Sequence, residues 1–220
     1  MKKFLVGLLV SATIALPADF LSFGIKGGIP LNDAFNTSPD GYASYSINTA
    51  RYTVGPEVEL KLPFGLGLEV DTLYRRLGYD FTTNIIPLMG ISQLFTSSQI
   101  TANAWDVPLL LKYRFLHGPF RPYVSAGPSF RFLTNVEGLY QNVGLSLMGA
   151  TFPSTPPELQ NRFDAGFTAN GGVEIGKGRL RLSPEIRYTR WGWDTFRNTY
   201  TPSLLTSNRN EFGLLVGLTF

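Results

Sequence analysis

Apolar and polar residues alternate along most of this chain at a period of two, the spacing of β-strands whose two faces meet different surroundings. From Phe20 to Ile29, Leu21, Phe23, Ile25 and Ile29 oppose Ser22, Gly24, Lys26 and Gly28. A second strand sets Tyr52, Val54, Val58, Leu60 and Leu62 against Thr53, Gly55, Glu57, Glu59 and Lys61. After a turn at Pro63-Phe64-Gly65, a third sets Leu66, Leu68, Val70 and Tyr74 against Gly67, Glu69, Asp71 and Arg75. Trp105, Val107, Leu109, Leu111, Tyr113 and Phe115 oppose Asp106, Leu110, Lys112 and Arg114 in a fourth. Beyond the turn Leu116–Phe120, a fifth places Val124, Ala126, Phe130 and Phe132 opposite Arg121, Tyr123, Ser125, Ser129 and Arg131. The sixth alternates Phe163, Phe167, Val173 and Ile175 with Asp164, Thr168, Asn170 and Glu174. The seventh, after Gly176-Lys177-Gly178, alternates Leu180, Leu182, Ile186 and Tyr188 with Arg181, Ser183, Glu185 and Arg187. The last runs Glu211 to Phe220, with Phe212, Leu214, Val216, Leu218 and Phe220 on one face.

Eight strands result, joined by alternating long and short connections. Pro30–Ala50, Gly78–Asn103, Thr134–Arg162 and Gly192–Arg209 read as the long ones. Three of them exceed the usual limit of about 15 residues for structureless loops. Part of that length is expected to be strand extension or an extra hairpin, so ten strands is the alternative to eight. An even number of strands returns both chain ends to one side, and each strand has about the ten residues that a tilted strand needs to cross a bilayer.

The amino terminus places the chain. Lys2 and Lys3 precede an apolar run from Phe4 to Leu16, followed by Pro17, Ala18 and Asp19, the charged, hydrophobic and small-residue order of a secretory signal. The run is shorter than the roughly 20 residues of a spanning helix. Residues 1–18 are assigned to the signal, with cleavage after Ala15 as the alternative, and 19–220 to one barrel domain. Loss of Lys2 and Lys3 takes Lys and Arg from 19 to 17 against 16 Asp and Glu, a balance that gives no footing for a nucleic-acid partner. Cysteine is absent, which excludes disulfides and a lipoprotein anchor.

Alternation alone does not say which face points inward; the charges do. One face carries nine cations, Lys26, Lys61, Arg75, Lys112, Arg114, Arg121, Arg131, Arg181 and Arg187. It also carries nine anions, Glu57, Glu59, Glu69, Asp71, Asp106, Asp164, Glu174, Glu185 and Glu211. An eight-stranded barrel is just wide enough for side chains to fill, and charges buried there must pair. Equal numbers of each sign meet that need. The competing arrangement is a soluble barrel, apolar within and charged outside. Against it stand two aromatic groups near the strand ends: Phe64, Tyr113, Phe115, Phe120 and Phe220 at the short-turn end, and Tyr52, Tyr74, Trp105, Phe132, Phe163, Tyr188 and Trp191 at the other, matching lipid headgroup levels. Pro56, Pro108, Pro128 and Pro184 lie inside strands, where each removes a ladder bond.

The terminal segment, with Phe212 and Phe220, resembles the last strand of bacterial outer-membrane β-barrels. V-G-P-E-V-E-L, R-P-Y-V-S-A-G-P-S-F-R and L-S-P-E-I-R-Y are similar to segments of the small porin-like family related to OmpA and OmpX transmembrane domains. The resemblance implies an up-and-down transmembrane barrel, short turns in the periplasm, and a terminal strand (Phe212, Leu214, Val216, Leu218, Phe220) recognised by the barrel assembly machinery. It also implies outer-membrane lipid and lipopolysaccharide as surroundings.

Catalysis finds little footing. The single histidine, His117, falls in a short turn, and the inward carboxylates have cations beside them. No catalytic, cofactor or metal residues are assigned. Trp191, Trp193 and Phe196 among Arg187–Arg197 suggest an outer interface belt, with a lipopolysaccharide phosphate clamp as the second reading. Ile85, Ile86, Leu88, Met89, Ile91, Leu94, Phe95, Leu145, Leu147 and Met148 make two loops apolar, either self-packed or open to an extracellular ligand. The expectation is a plugged barrel with a structural or surface-interaction role; the alternative is a small porin passing polar solutes.

Overall fold

In the computed structural model, residues 20–38, 43–85, 94–143, 152–177, 180–198 and 204–220 are described. The signal segment and the loop residues Ile86, Leu88, Met89, Ile91, Leu145, Leu147 and Met148 lie outside them. The strands are β1 (Leu21–Pro30), β2 (Phe35–Thr37), β3 (Ala43–Ile47), β4 (Thr53–Lys61), β5 (Leu66–Asp71), β6 (Leu73–Ile85) and β7 (Leu94–Arg114). They continue as β8 (Phe120–Val143), β9 (Phe152–Ser154), β10 (Phe163–Lys177), β11 (Leu180–Trp191), β12 (Leu205–Ser207) and β13 (Asn210–Thr219).

These strands form a closed antiparallel barrel of eight staves. Each pairs with its neighbour in sequence, β5 and β6 together make the third stave, and β1 pairs with β13 to close the cylinder. Closure leaves no open sheet edge in hydrocarbon, where an unpaired N–H or C=O costs several kcal/mol. The staves number eight rather than ten. The two further strands pair on the long-loop side, β3 along Tyr79–Thr83 of β6 and β9 along Gly138–Tyr140 of β8. A separate two-stranded ribbon joins β2 to β12.

Alternation fixes which side chains face out. Ile25 and Ile186 are each 59% exposed on the outer surface, whereas Glu69 and Asp71 are 0% exposed inside. The barrel is therefore charged within and apolar without, the arrangement that lipid solvates.

The prolines fit because each breaks the ladder on one side only. Glu57 pairs with Asp71 and Val54 with Tyr74 in one register, so Pro56 opposes Thr72, where β5 gives way to β6. The Thr72 N–H still reaches the Pro56 carbonyl at 3.0 Å; only the bond that proline cannot donate is missing. On its other side Pro56 pairs with Ile25. Pro108 meets the same break, between Val70↔Leu109 and Leu73↔Asp106. Pro128 interrupts β7–β8 but pairs with Phe167, and Pro184 interrupts β10–β11 but pairs with Val216. Glycine precedes two of them because the facing strand comes close: a Cβ on Gly55 would lie 1.8 Å from the Thr72 carbonyl oxygen, and one on Gly127 2.0 Å from that of Leu109.

Of the long connections expected from the sequence, Gly78–Asn103 is strand at every described residue, and Thr134–Arg162 contributes 134–143 to β8 and 152–154 as β9. β7 has 21 residues and β8 has 24, about twice a crossing length. The hairpins pass the membrane boundary with a register shift at Thr101/Asn103, opposite Asn135, which adopts φ 48°, a conformation asparagine tolerates better than most residues.

Beyond that boundary the amphipathic sense inverts. Arg75 points in and Arg76 out, Ala104 in and Trp105 out, Phe132 out and Leu133 in. Each of these pairs puts two residues of like character side by side, and Arg75↔Ala104 and Ala104↔Leu133 are cross-strand partners. From there the inward positions are apolar: Leu77, Tyr79, Ile100, Ala102, Leu133 and Val136 join Phe35, Tyr45, Phe196 and Leu205 in one buried cluster. Phe35, Tyr79 and Phe196 meet edge-on with ring centroids 5.3–5.8 Å apart. Water-soluble packing thus sits on top of a membrane barrel.

The close approach at Gly127 yields a test. Gly127→Ala is expected to lower stability by about 1–3 kcal/mol, the cost of forcing extra volume into a packed site, while Pro128→Ala is near neutral. Urea unfolding of the refolded barrel, followed by heat-modifiable gel mobility, measures both.

Candidate functional site

The lumen holds the chemically distinctive part of the molecule. Inward positions converge there because a cylinder directs every second residue of every stave toward one axis. At mid-membrane, Lys26 Nζ sits 2.6 Å from Glu69 Oε1 and 3.4 Å from both Glu57 Oε2 and Asp71 Oδ2. Arg187 lies 2.6 Å from Asp71 Oδ2 and 2.7 Å from Glu185 Oε1. Lys112 closes on Glu69 from the other side and lies over the Tyr123 ring at 4.5 Å, while the Tyr123 hydroxyl donates to Glu185 at 2.7 Å.

Toward the short turns, Arg114 donates Nε to Glu174 Oε2 at 2.8 Å and also pairs with Glu59. Toward the long loops is a second tier: Arg131 grips Asp106 at 2.6 and 2.8 Å and Glu211 at 2.8 Å, and Arg75 reaches Glu211 at 2.7 Å. A cavity of about 60 Å³ between the tiers is bordered by Arg75, Thr168, Arg187 and Trp191.

Of the residues singled out in the sequence, Glu57, Glu59, Glu69, Asp71, Arg75, Asp106, Lys112, Arg114, Arg131, Glu174, Glu185, Arg187 and Glu211 meet in these tiers. Asp164 is buried opposite its cross-strand partner Arg131 without hydrogen-bonding into the tiers, and its Oδ1 accepts the Trp193 N–H at 3.1 Å. Lys61, Arg121 and Arg181 stand at the short-turn mouth, half-buried. The terminal strand points Phe212, Leu214, Val216, Leu218 and Phe220 outward. Tyr123 was legible as inward-facing but not as a partner of the charges, because alternation gives a direction and not a contact.

Two expectations at the outer rim are corrected. Trp191 is not in the lipid belt; it is 4% exposed, inside, with the Arg131 guanidinium 4.1 Å from its ring. Phe196 belongs to the buried outer cluster and Arg187 to the lumen, which leaves Arg190, Trp193 and Arg197 as the exposed cations and aromatic ring of the Arg187–Arg197 segment. The remaining outer aromatics do form a girdle, with Tyr74 against Trp105 at 5.1 Å, Phe132 against Phe163 at 5.3 Å and Tyr188 against Phe212 at 4.9 Å.

Carboxylate oxygens of Glu57, Glu59 and Glu69 lie within 4.8 Å of one another. Their countercharge comes from the chain itself, through Lys26 and Lys112. The arrangement suits mutual neutralisation rather than acid and base work, which needs a group left poised and reachable.

The family described as outer membrane protein beta-barrel domain matches residues 2–192. The chain belongs to that family. Its place is the bacterial outer membrane, with the short turns on the periplasmic side and the long hairpins outside. No curated protein matches the sequence. Among solved structures, OprG of Pseudomonas aeruginosa is similar with a TM-score of 0.51 at 11% identity, covering 91% of this chain and 94% of that one. Neisserial surface protein A aligns at 0.38 and 13% identity, over 90% and 95% of the two chains. Ail of Yersinia pestis, solved with the heparin analogue sucrose octasulfate, aligns at 0.38 and 8%, over 91% and 99%. At such identities the likeness to OprG is one of fold. This member of the outer-membrane barrel family carries most of the ionisable groups of its membrane-crossing strands in the lumen, out of reach of lipid.

The network makes an uneven prediction. Glu69 neutralises two lysines, so Glu69→Gln strands buried charge and is expected to cost about 3–5 kcal/mol. Glu57 has neither carboxylate oxygen hydrogen-bonded, so Glu57→Gln should change stability by less than about 1 kcal/mol. Parallel urea titrations of the two variants check the contrast.

Proposed function

We propose that this outer-membrane barrel is a closed, non-catalytic protein with a structural and surface-interaction role, whose lumen is plugged by its own salt bridges. The observation that carries the reading is the stacking of two seals. Above ion-paired tiers that leave a cavity of about 60 Å³, an apolar cluster of Phe35, Leu77, Tyr79, Ile100, Phe196 and Leu205 lies at the outer end. A polar solute would have to separate buried ion pairs and then cross a dry core. The interacting surface is then the outside of the projecting hairpins, where an extracellular ligand would bind, together with the outward aromatics that meet lipid and lipopolysaccharide.

Purified protein in planar bilayers should show no discrete conductance steps at any salt concentration. Stepwise, salt-dependent currents would instead establish the small-porin alternative.

The terminal strand supports a second part of the same reading, that Phe220 and the outward residues before it serve as the signal for the barrel assembly machinery. Phe220 is 60% exposed on the outer face, and its backbone pairs with Phe23, so its ring is free to be bound before closure. Deletion of Phe220 should reduce the folded, heat-modifiable fraction in cell envelopes several-fold. Unchanged levels would refute the signal.

A further inference from the structure

The lumen charges are balanced in number but not in place. At the periplasmic mouth, Lys61, Arg121 and Arg181 occupy the inward positions nearest the short turns of β4, β8 and β11, with Arg114 behind them. Arg181 and Arg114 stand close enough to act electrostatically on both Lys61 and Arg121, as do the carboxylates of Glu59 and Glu174. Those two carboxylates are shared among Arg114, Lys112 and, at 3.9 Å, Arg181, so cations outnumber them at this level. Arg121 spends its Nε on the Gly118 carbonyl, 2.8 Å away. Among the described residues no carboxylate lies within ion-pair distance of Lys61 or Arg121. Like charges gathered in a partly dehydrated mouth repel one another.

Between the β4–β5 and β7–β8 turns, Lys61, Arg114 and Arg121 border a hollow of about 250 Å³, whose lining includes Phe64, Leu116 and His117. We propose that this mouth is a binding site for a phosphate group. A tetrahedral, multivalent oxyanion relieves the repulsion of several cations at once, accepts from the arginine fork and is met by the lysine as a point charge. The exposed side chains of Phe64 and Leu116 on the same hollow admit either a soluble phosphate from the periplasm or the headgroup of an inner-leaflet phospholipid. The phosphate chemistry is common to both. The site is independent of whether the lumen conducts.

The test uses the full mature barrel refolded in an uncharged maltoside detergent. Pyrophosphate is titrated by calorimetry, and phosphatidylglycerol added to the refolded barrel and retained through detergent exchange is read by native mass spectrometry. Pyrophosphate binding that weakens with added salt, and falls at least tenfold in Lys61→Gln/Arg121→Gln, supports the soluble source. Lipid retention lost in the same variant, without pyrophosphate binding, supports the headgroup. Binding of neither ligand, or binding equal in wild type and variant, overturns the site. Both side chains are partly exposed, so the variant is expected to fold; gel mobility verifies it. If it does not fold, Lys61→Gln alone and the salt dependence of the wild type decide between the same outcomes.

Discussion

Hydrocarbon supplies no hydrogen-bond partners, and the rest of this structure follows from that lack. The backbone has to satisfy itself, so the sheet closes. Closing with eight staves makes a lumen that side chains fill, and the outer face has to be apolar, so the polar half of every strand is driven inward. Charges confined there are tolerable only when each meets its opposite. Lys26 amid Glu57, Glu69 and Asp71, and Arg131 between Asp106 and Glu211, are consequences of that geometry before they are devices of any function. The same demand explains the prolines. A residue without an N–H is admissible in a closed sheet when it opposes a break on one side and keeps its pairing on the other, as Pro56, Pro128 and Pro184 do.

Outside the membrane the demand is lifted, and the chain responds within one residue. In β7, Ile100, Ala102 and Ala104 face inward, then Trp105 and Val107 face outward around an inward Asp106. The strand runs on with one geometry while its solvent changes. Above the boundary water covers the outside and the hydrophobic effect packs the inside; below it, lipid covers the outside and ion pairs pack the inside.

This change of solvent separates what was legible in the sequence from what was not. The strands, their phase and the inward charges could be read because within the membrane apolar-out is the single rule. The hairpin extensions were expected from loop length alone and could not be placed, and the outer core was not read, because Gly78–Asn103 alternates with the opposite sense and a search for outward apolar residues finds no strand there. The signal was present in the like pairs Arg75–Arg76, Ala104–Trp105 and Phe132–Leu133, each of which breaks the alternation at the boundary. Trp191 was misplaced for a related reason: its parity is inward, but its aromatic type suggested the girdle. Tyr45 lies in the five-residue β3 and Phe196 in the connection after β11, stretches too short for a period to announce burial, and their contacts to Tyr79 are fixed only by tertiary folding.

The two regimes also bear on how a closed lumen would be kept closed. An ion-paired tier alone admits water, since carboxylates and guanidinium groups hydrate readily and a cavity already lies between the tiers. An apolar core alone resists water but is held together by nothing directional. Placed in series they fail under different conditions: salt or charge removal loosens the first, loss of packed volume the second. The loops are bound into the second by specific contacts, with the Tyr45 and Tyr79 hydroxyls donating to Glu158 at 3.2 and 3.3 Å and Asn198 donating to Tyr45 at 2.7 Å. Residues of all four long connections therefore brace one another over the mouth of the barrel. Loops fastened together in this way form a stable outer face, the geometry on which the proposed surface-interaction role rests.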